Sequence, residues 1–322
     1  MSRSAFITGA SGFIGRAVAE RLRAEGWDVR GVDVEADEPR AVVAGDVTEP
    51  GSWQRAAAGA DLFVHTAAVV SNAVDAETTW RVNVLGTRRA VEAAHAGAGG
   101  RFVHFSSVRA FSDRHYPDGA DETWPLRADG NPYVDAKVAS EQVVLQAHAA
   151  GEIVATIVRP ADVYGPGSRP WTILPVAAIK AGSFALPAMG KGVFTPVYVD
   201  NLIDAVLLAA IKPEGAGEVF TVSDGRTVTT REFFGFYYRM LDRKGPVVLP
   251  TSVALGLTTI GATLARLRGA STERNPTTVR YLARTGGYSI DKAQRVLGYQ
   301  PRVDLTEGMR RTEDWLRSER LI

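Results

Sequence analysis

The chain contains no cysteine, which excludes disulfides, thiolate metal sites and a cysteine nucleophile, and leaves the redox compartment open. Histidine is scarce, five in 322 residues, and no H-E-x-x-H or clustered pair occurs. His65 and His104 fall on buried-strand patterns and read as packed or hydrogen-bonded side chains, so no metal site is expected. A dominant charge is missing too: 37 Lys plus Arg face 36 Asp plus Glu, a formal net of +1, which gives no field to gather nucleic acid. There is no G-x-S-x-G elbow and no Walker lysine behind a glycine turn. The longest apolar stretch, Leu249 to Leu267, is interrupted by Pro250, Thr251, Ser252, Thr258, Thr259 and Arg266, so it reads as an amphipathic helix and not as a membrane span. The opening MSRSAFITGASGFIG lacks the basic-then-apolar pattern of a secretory signal, and a cytoplasmic protein is the default expectation.

What is present is an alternation. Ala5 to Thr8, Val29 to Val34, Leu62 to His65, Arg101 to Phe105 and Ile153 to Val158 read as buried strands with helical patterns between them. Strands separated by helices cannot pair as hairpins, so the expected fold is α/β, a doubly wound parallel sheet of Rossmann type with ligands at the carboxyl ends of the strands. After Arg159-Pro160 the rhythm breaks at Gly165, Pro166, Gly167, Pro170 and Pro175. The expected division is a dinucleotide-binding domain over 1–165, with 197–223 returning to it, and a smaller, mostly helical C-terminal substrate lobe from 166–196 and 224–322.

Thr8-Gly9-Ala10-Ser11-Gly12-Phe13-Ile14-Gly15 links the first strand to a helix, the context of a phosphate-binding turn. Gly9 suits the tight turn, Gly12 lets backbone approach a pyrophosphate, and Gly15 allows close helix packing. Asp33 closes the second strand where an acidic residue binds ribose hydroxyls and repels a 2′-phosphate, which favours NAD over NADP, although Arg16 and Arg30 lie near enough to blunt the preference. Asp46-Val47 and His65-Thr66-Ala67-Ala68 follow the third and fourth strands, at the edge where adenine and ribose phosphates would lie.

Tyr133 and Lys137 sit four apart at the start of a helix opened by Pro132, which places phenol and ammonium on one face. A free tyrosine is a poor base at neutral pH, and a neighbouring cation makes its phenolate accessible. Tyr288 and Lys292 repeat the spacing but follow Gly286-Gly287, and that copy reads as structural. The fifth strand ends in Phe105-Ser106-Ser107; Ser107 is the candidate to bind the reacting oxygen, with Ser106 the alternative if the register slips by one.

These motifs, together with Asn83-Val84-Leu85-Gly86-Thr87, Arg159-Pro160-Ala161-Asp162-Val163-Tyr164-Gly165-Pro166, Val197-Tyr198-Val199-Asp200-Asn201 and Leu297-Gly298-Tyr299-Gln300-Pro301, resemble the extended short-chain dehydrogenase/reductase family, which includes sugar-nucleotide epimerases and 3β-hydroxysteroid dehydrogenases. The resemblance spans nearly the whole chain. It implies a catalytic triad of Ser107, Tyr133 and Lys137, with Lys137 also reaching the nicotinamide ribose. It implies further that Pro160 and Val163 border the nicotinamide, that Asn83 lies near the active-site end of its helix, and that a homodimer forms through Asn83 to His95 and Tyr133 to His148.

Sugar-nucleotide members commonly carry Asn where this chain has Asp162, and a carboxylate facing a diphosphate would repel it. Dehydratases of the family tend to place Asp-Glu after the catalytic hydroxyl, whereas Ser107 is followed by Val108-Arg109-Ala110. The region from Leu249 to Arg284 is similar to the hydroxysteroid dehydrogenase branch, and its apolar side chains are candidates to line a substrate pocket. The leading expectation is an NAD-dependent oxidoreductase acting on a secondary alcohol or ketone of a largely apolar, steroid-like or hydroxyacyl small molecule. The alternatives are an NDP-sugar 4-epimerase or dehydratase with tightly bound NAD, and a non-catalytic dinucleotide sensor.

Overall fold

The computed structural model describes residues 3–97, 100–113 and 118–322. The first half alternates as expected: β1 (Ser4–Thr8), α1 (Phe13–Ala24), β2 (Asp28–Asp33), β3 (Val42–Ala44), α2 (Ser52–Ala56), β4 (Leu62–His65), α3 (Ala76–Trp80), α4 (Gly86–Ala96), β5 (Arg101–Phe105), α5 (Pro132–Ala149) and β6 (Val154–Pro160). Short elements then follow: β7 (Asp162–Tyr164), α6 (Leu174–Lys180), β8 (Val193–Phe194), β9 (Pro196–Tyr198), α7 (Val199–Ile211), β10 (Val219–Val222) and β11 (Val228–Thr229). Helices α8 (Thr230–Met240), α9 (Thr251–Leu267), α10 (Pro276–Leu282), α11 (Asp291–Leu297) and α12 (Leu305–Ser318) complete the chain.

Seven strands form one parallel sheet in the order β10-β6-β5-β4-β1-β2-β3. Its inner strands β1, β4, β5 and β6 are buried along most of their length, which is why they read as apolar runs. On one face Phe6, Phe63 and Phe102 stand in a row, with ring centroids 5.4 and 5.2 Å apart, under Val91 and Val144 of α4 and α5. The other face carries α1 and α7 and merges with the aromatic core of the C-terminal lobe around Phe194, Phe233 and Phe234. β10 pairs in register with β6 through Val219↔Ile157 and Val222↔Pro160, as the edge strand of the sheet.

Register fixes the site. Thr8 pairs with His65, His65 with His104, and Phe105 with Val158, so Gly9, Thr66, Ser106, Ser107 and Ala161 leave the sheet together at its carboxyl edge. The strand order reverses between β1 and β4, with β2 and β3 on one side and β5, β6 and β10 on the other, and the crevice opens there. Among the described residues no helix is long and apolar enough to cross a membrane.

Candidate active site

The turn from β1 into α1 is built so that only glycine fits. Gly9 has φ +70°, and a Cβ there would stand 2.8 Å from the Ala67 backbone; one on Gly15 would stand 2.1 Å from the Gly9 carbonyl oxygen. Gly12 caps α1 without a side-chain hydrogen bond, so amide donors of the first turn, where Phe13 and Ile14 stand, are available to an anion. Asp33 is held in place: its carboxylate accepts from the Ser11 amide at 2.9 Å and the Val34 amide at 2.8 Å. Arg30 is turned to the Ala58 carbonyl at 3.3 Å, which leaves Arg16, hydrogen-bonded to the Ser11 carbonyl at 3.3 Å, as the cation beside the turn. A narrow glycine cradle, uncapped helix amides and a fixed carboxylate together suit a dinucleotide.

The neighbouring loops close the rest of this edge. Thr66 donates to the Thr8 carbonyl at 2.7 Å, tying Thr66-Ala67-Ala68 against the glycine turn. Asp46 accepts from the Thr48 amide at 2.8 Å in a tight turn that leaves Val47 buried against Gly86. Asn83 lies in a π-helical turn, Arg81–Leu85. Its amide group donates to the Val69 carbonyl at 3.0 Å and accepts from the Val69 amide at 2.7 Å, so it holds the loop after β4.

Asn131 caps α5 by accepting from the Tyr133 amide at 2.9 Å, and Pro132 occupies the first helical position. Tyr133 and Lys137 are then 5% and 4% exposed on the face that meets β5. Lys137 donates to the Phe105 carbonyl at 2.7 Å, and its Nζ lies 5.9 Å from the centroid of the Tyr133 ring. The two serines are separated by what they touch. Ser106 donates to Glu141 at 2.5 Å, and Glu141 is itself gripped by Arg159 through bonds of 2.8 and 2.7 Å. Ser107 stands near enough to Tyr133 to favour its phenolate and also caps the next turn, accepting from the Arg109 amide at 3.2 Å. Tyr133, Lys137 and Glu141 thus form one i, i+4, i+8 row, whose third member anchors the helix to β6.

Burial pushes the Tyr133 phenol up from its ordinary value, while Arg109 and the hydrogen bond with Ser107 pull it down. Burial also lowers the Lys137 ammonium to about 8, with Glu141 opposing. Arg109 is the residue that sequence reasoning missed. Its guanidinium carbon lies 5.0 Å from the Tyr133 ring centroid and 5.1 Å from that of Tyr281. Asp113 holds it by two hydrogen bonds, one at 2.7 Å from Nε, and Asn72 accepts from it at 3.0 Å. Burial works against its charge, but Asp113 outweighs that and keeps it protonated. The i, i+4 spacing of Arg109 and Asp113 was available in the sequence; nothing local tied it to Tyr133. Arg284 continues the stack, 4.1 Å from the Tyr281 ring centroid.

Two expectations about the substrate side need correction. Asp162 is not a bare carboxylate facing a ligand: it is 1% exposed, ion-paired to Arg284, and accepts from the Tyr281 hydroxyl at 2.6 Å and the Thr195 amide at 3.0 Å. Arg284 and Tyr281 lie about 120 residues away in sequence, beyond the reach of a local motif. Within Leu249 to Leu267, Leu257, Ile260 and Leu267 are 59%, 61% and 79% exposed and do not line an enclosed pocket. The clamp over the site comes instead from the start of α10. Glu273 accepts from Ser71 and from the Asn72 amide, and Asn275 donates to the Asn72 carbonyl at 3.0 Å.

The remaining candidates stand apart from the chemistry. Tyr288 stacks on Phe111 at 5.9 Å and Lys292 pairs with Glu218 at 2.7 Å, so the second Tyr-Lys spacing is not a pair. His65 lies between Thr8 at 2.7 Å and Thr87 at 3.0 Å. Thr87 spends its proton on the Asn83 carbonyl, which makes His65 Nε2 the protonated nitrogen, and burial drops its pKa to about 3. His104 stacks on it at 5.6 Å. Pro160 ends β6 and Val163 is buried in β7, beside the edge that carries Ser107.

The model of the NAD dependent epimerase/dehydratase family matches residues 5–223. A 4-hydroxy-2-methyl-3-oxo-4-farnesyl-3,4-dihydroquinoline-1-oxide ketoreductase of Stigmatella aurantiaca is 30% identical over 316 residues, covering 94% of each chain. A 3-beta-hydroxysteroid dehydrogenase of Mycolicibacterium neoaurum is 27% identical and covers 94% of this chain and 88% of its own. Among solved structures, a UDP-glucose 4-epimerase of Thermotoga maritima has a TM-score of 0.80 at 22% identity, covering 98% of this chain and 99% of its own, a likeness of fold.

Proposed function

The chain belongs to the NAD dependent epimerase/dehydratase family, and we propose that it is an NAD-dependent oxidoreductase interconverting a secondary alcohol and a ketone on a largely apolar, steroid-like or hydroxyacyl substrate. The observation that carries the reading is the buried Tyr133 phenol at the carboxyl edge, beside Ser107 and with the cations Arg109 and Lys137 5.0 and 5.9 Å from its ring centroid. The similar ketoreductase and hydroxysteroid dehydrogenase act by name on apolar ketones and alcohols, which supports the substrate class.

Residues fit the cofactor as follows. Gly9, Ser11, Gly12, Phe13, Ile14 and Gly15 take the pyrophosphate, Asp33 the adenosine ribose, and Asp46, Val47, Thr66, Ala67 and Ala68 the adenine side. Lys137, Pro160 and Val163 border the nicotinamide, with Asn83 acting through the Val69 loop. When bound, NAD supplies or accepts the hydride. In reduction Ser107 orients the carbonyl oxygen, and Tyr133 donates the proton to it. Lys137 and Arg109 stabilise the phenolate left behind, and in oxidation the same phenolate takes the proton back. Asp33 would repel a 2′-phosphate, so NADP is the poorer cofactor.

The Asp162–Arg284 pair bears on the second reading, an NDP-sugar 4-epimerase or dehydratase. The pair has no net charge, so it neither repels a diphosphate nor offers it a free cation. We further read 1–165 with 197–223 as the dinucleotide domain and the rest as the substrate lobe, in a cytoplasmic homodimer. The dimer is supported by α5, which has no clearly polar face, and by half-exposed Trp80 and Leu85 beside it. The test is a panel of 3-ketosteroids and 3-ketoacyl thioesters with NADH. Net NADH consumption supports the reading; no consumption, with UDP-glucose epimerised instead, rejects it.

A further inference from the structure

Helix α9 is turned inside out. Its 17 residues bury only Ala254, while Val253, Leu257, Ile260, Leu264 and Leu267 are 45%, 59%, 61%, 48% and 79% exposed. Their spacing of four, three, four and three residues puts all five on one stripe. The side turned inward is mostly small or polar, with Ala254, Thr258, Ala262 and Ala265 and a single partly covered leucine, Leu255; the Thr258 hydroxyl donates to the Ala254 carbonyl at 2.8 Å. A surface helix that folds for its own protein does the reverse, and isolated exposed leucines are ordinary where a continuous stripe is not.

Charge indicates what covers the stripe. The helix has no acidic residue, and Arg266 is its one charged side chain. Arg243 and Lys244 precede it and Arg268 and Arg274 follow, all exposed. Of the two acidic residues between 242 and 275, Glu273 is engaged by Ser71 and Asn72. An apolar stripe with Arg266 on its helix and four more exposed cations in the segments that flank it in sequence complements a surface that is anionic outside and hydrocarbon beneath. A second copy of the chain would bring the same basic border against itself.

We propose that α9 is a peripheral membrane-docking helix, lying flat on an anionic lipid bilayer with the Val253-to-Leu267 stripe in the acyl boundary. At 17 residues it is about 25 Å long, and it lies on the surface without spanning. Docking would set the enzyme on the phase into which an apolar ketone partitions, yet the proposal stands apart from the active-site reading because vesicle binding requires no turnover.

The test is co-sedimentation of the full chain with vesicles of equal parts phosphatidylglycerol and phosphatidylcholine, and with phosphatidylcholine alone. The wild type should bind the anionic vesicles on the order of tenfold more tightly than the neutral ones, with binding weakened by salt. Leu257→Glu/Ile260→Glu/Leu264→Glu should lose binding while keeping its melting temperature, since all three side chains are exposed. Arg266→Gln/Arg268→Gln should weaken it several-fold. The proposal is overturned if the wild type stays in the supernatant with anionic vesicles, or if the folded triple variant binds as well as wild type. It is equally overturned if the stripe instead drives a concentration-dependent doubling of mass without vesicle binding.

Discussion

Replacing Arg109 by methionine together with Asp113 by asparagine removes a matched charge pair beside Tyr133 and should move the pH profile of alcohol oxidation upward. Arg109 lies 5.0 Å from the ring centroid of Tyr133, and a unit charge at that distance in an effective dielectric of ~20 is worth ~3 kcal/mol to a phenolate. Asp113 opposes with a smaller effect, so the pair together stabilises the phenolate by ~1.5 kcal/mol, which corresponds to ~1 pKa unit. Burial, the largest cause raising the phenol, is then less opposed. Oxidation requires the deprotonated phenol, so its rising limb shifts ~1 unit to higher pH and kcat/KM on that limb falls ~10-fold. Reduction requires the protonated phenol, and its alkaline limb moves the same way. The assay is the initial rate of NADH formation against pH, with circular dichroism and Tm to establish that the variant is folded. Arg109→Lys, which keeps a cation, should recover part of the shift. A folded double variant whose limb is unmoved, or moves to lower pH, refutes this role for Arg109.

Tyr133→Phe should lower turnover by ~10²-fold or more while leaving NAD affinity within about twofold by calorimetry, since the phenol acts on the reacting oxygen and not on the dinucleotide. Lys137→Met should cost activity yet raise the Tm of the ligand-free protein at pH 7. Its pKa falls from 10.5 unfolded to about 8 folded, so between those values the unfolded state binds the extra proton and stability rises with pH. Below pH 8 the buried charge costs up to ~3 kcal/mol, less the bond to Phe105 that methionine also gives up. Gly9→Ala adds a Cβ 2.8 Å from Ala67 at φ +70°, so NAD affinity measured by calorimetry should drop at least ~10-fold, with a loss of ~1–2 kcal/mol in denaturant unfolding.

The parts of the molecule that were legible in the sequence are the local ones. β1, the glycine turn and α1 are contiguous, and steric demands at Gly9 and Gly15 are met within that stretch and by Ala67. Asn131-Pro132 announces the start of α5, and four-residue spacing then places Lys137 beside Tyr133. Ser106 and Ser107 could not be separated until β5 had a register against β6, because alternation sends one hydroxyl to Glu141 and the other to Tyr133. The long-range charges were invisible for the same reason. Asp162 meets Arg284 and Tyr281 only after the C-terminal lobe has folded back over β7, and the pairing replaces the repulsion inferred from a lone carboxylate. β3, only three residues long, was legible through the Asp46-Val47 that follows it and not as an apolar run of its own. In α9 the periodicity revealed an amphipathic helix but not which side faces inward, since that depends on what the fold packs against it.

The most direct measurement is the fate of the hydride. A candidate apolar ketone would be turned over with NADH carrying deuterium at the transferred position of nicotinamide C4, and the product analysed by mass spectrometry. One deuterium per molecule on the carbinol carbon, with stoichiometric NAD formed, is the expected result. Product without deuterium, or an NDP-sugar isomerised with no net NADH consumed, would contradict it.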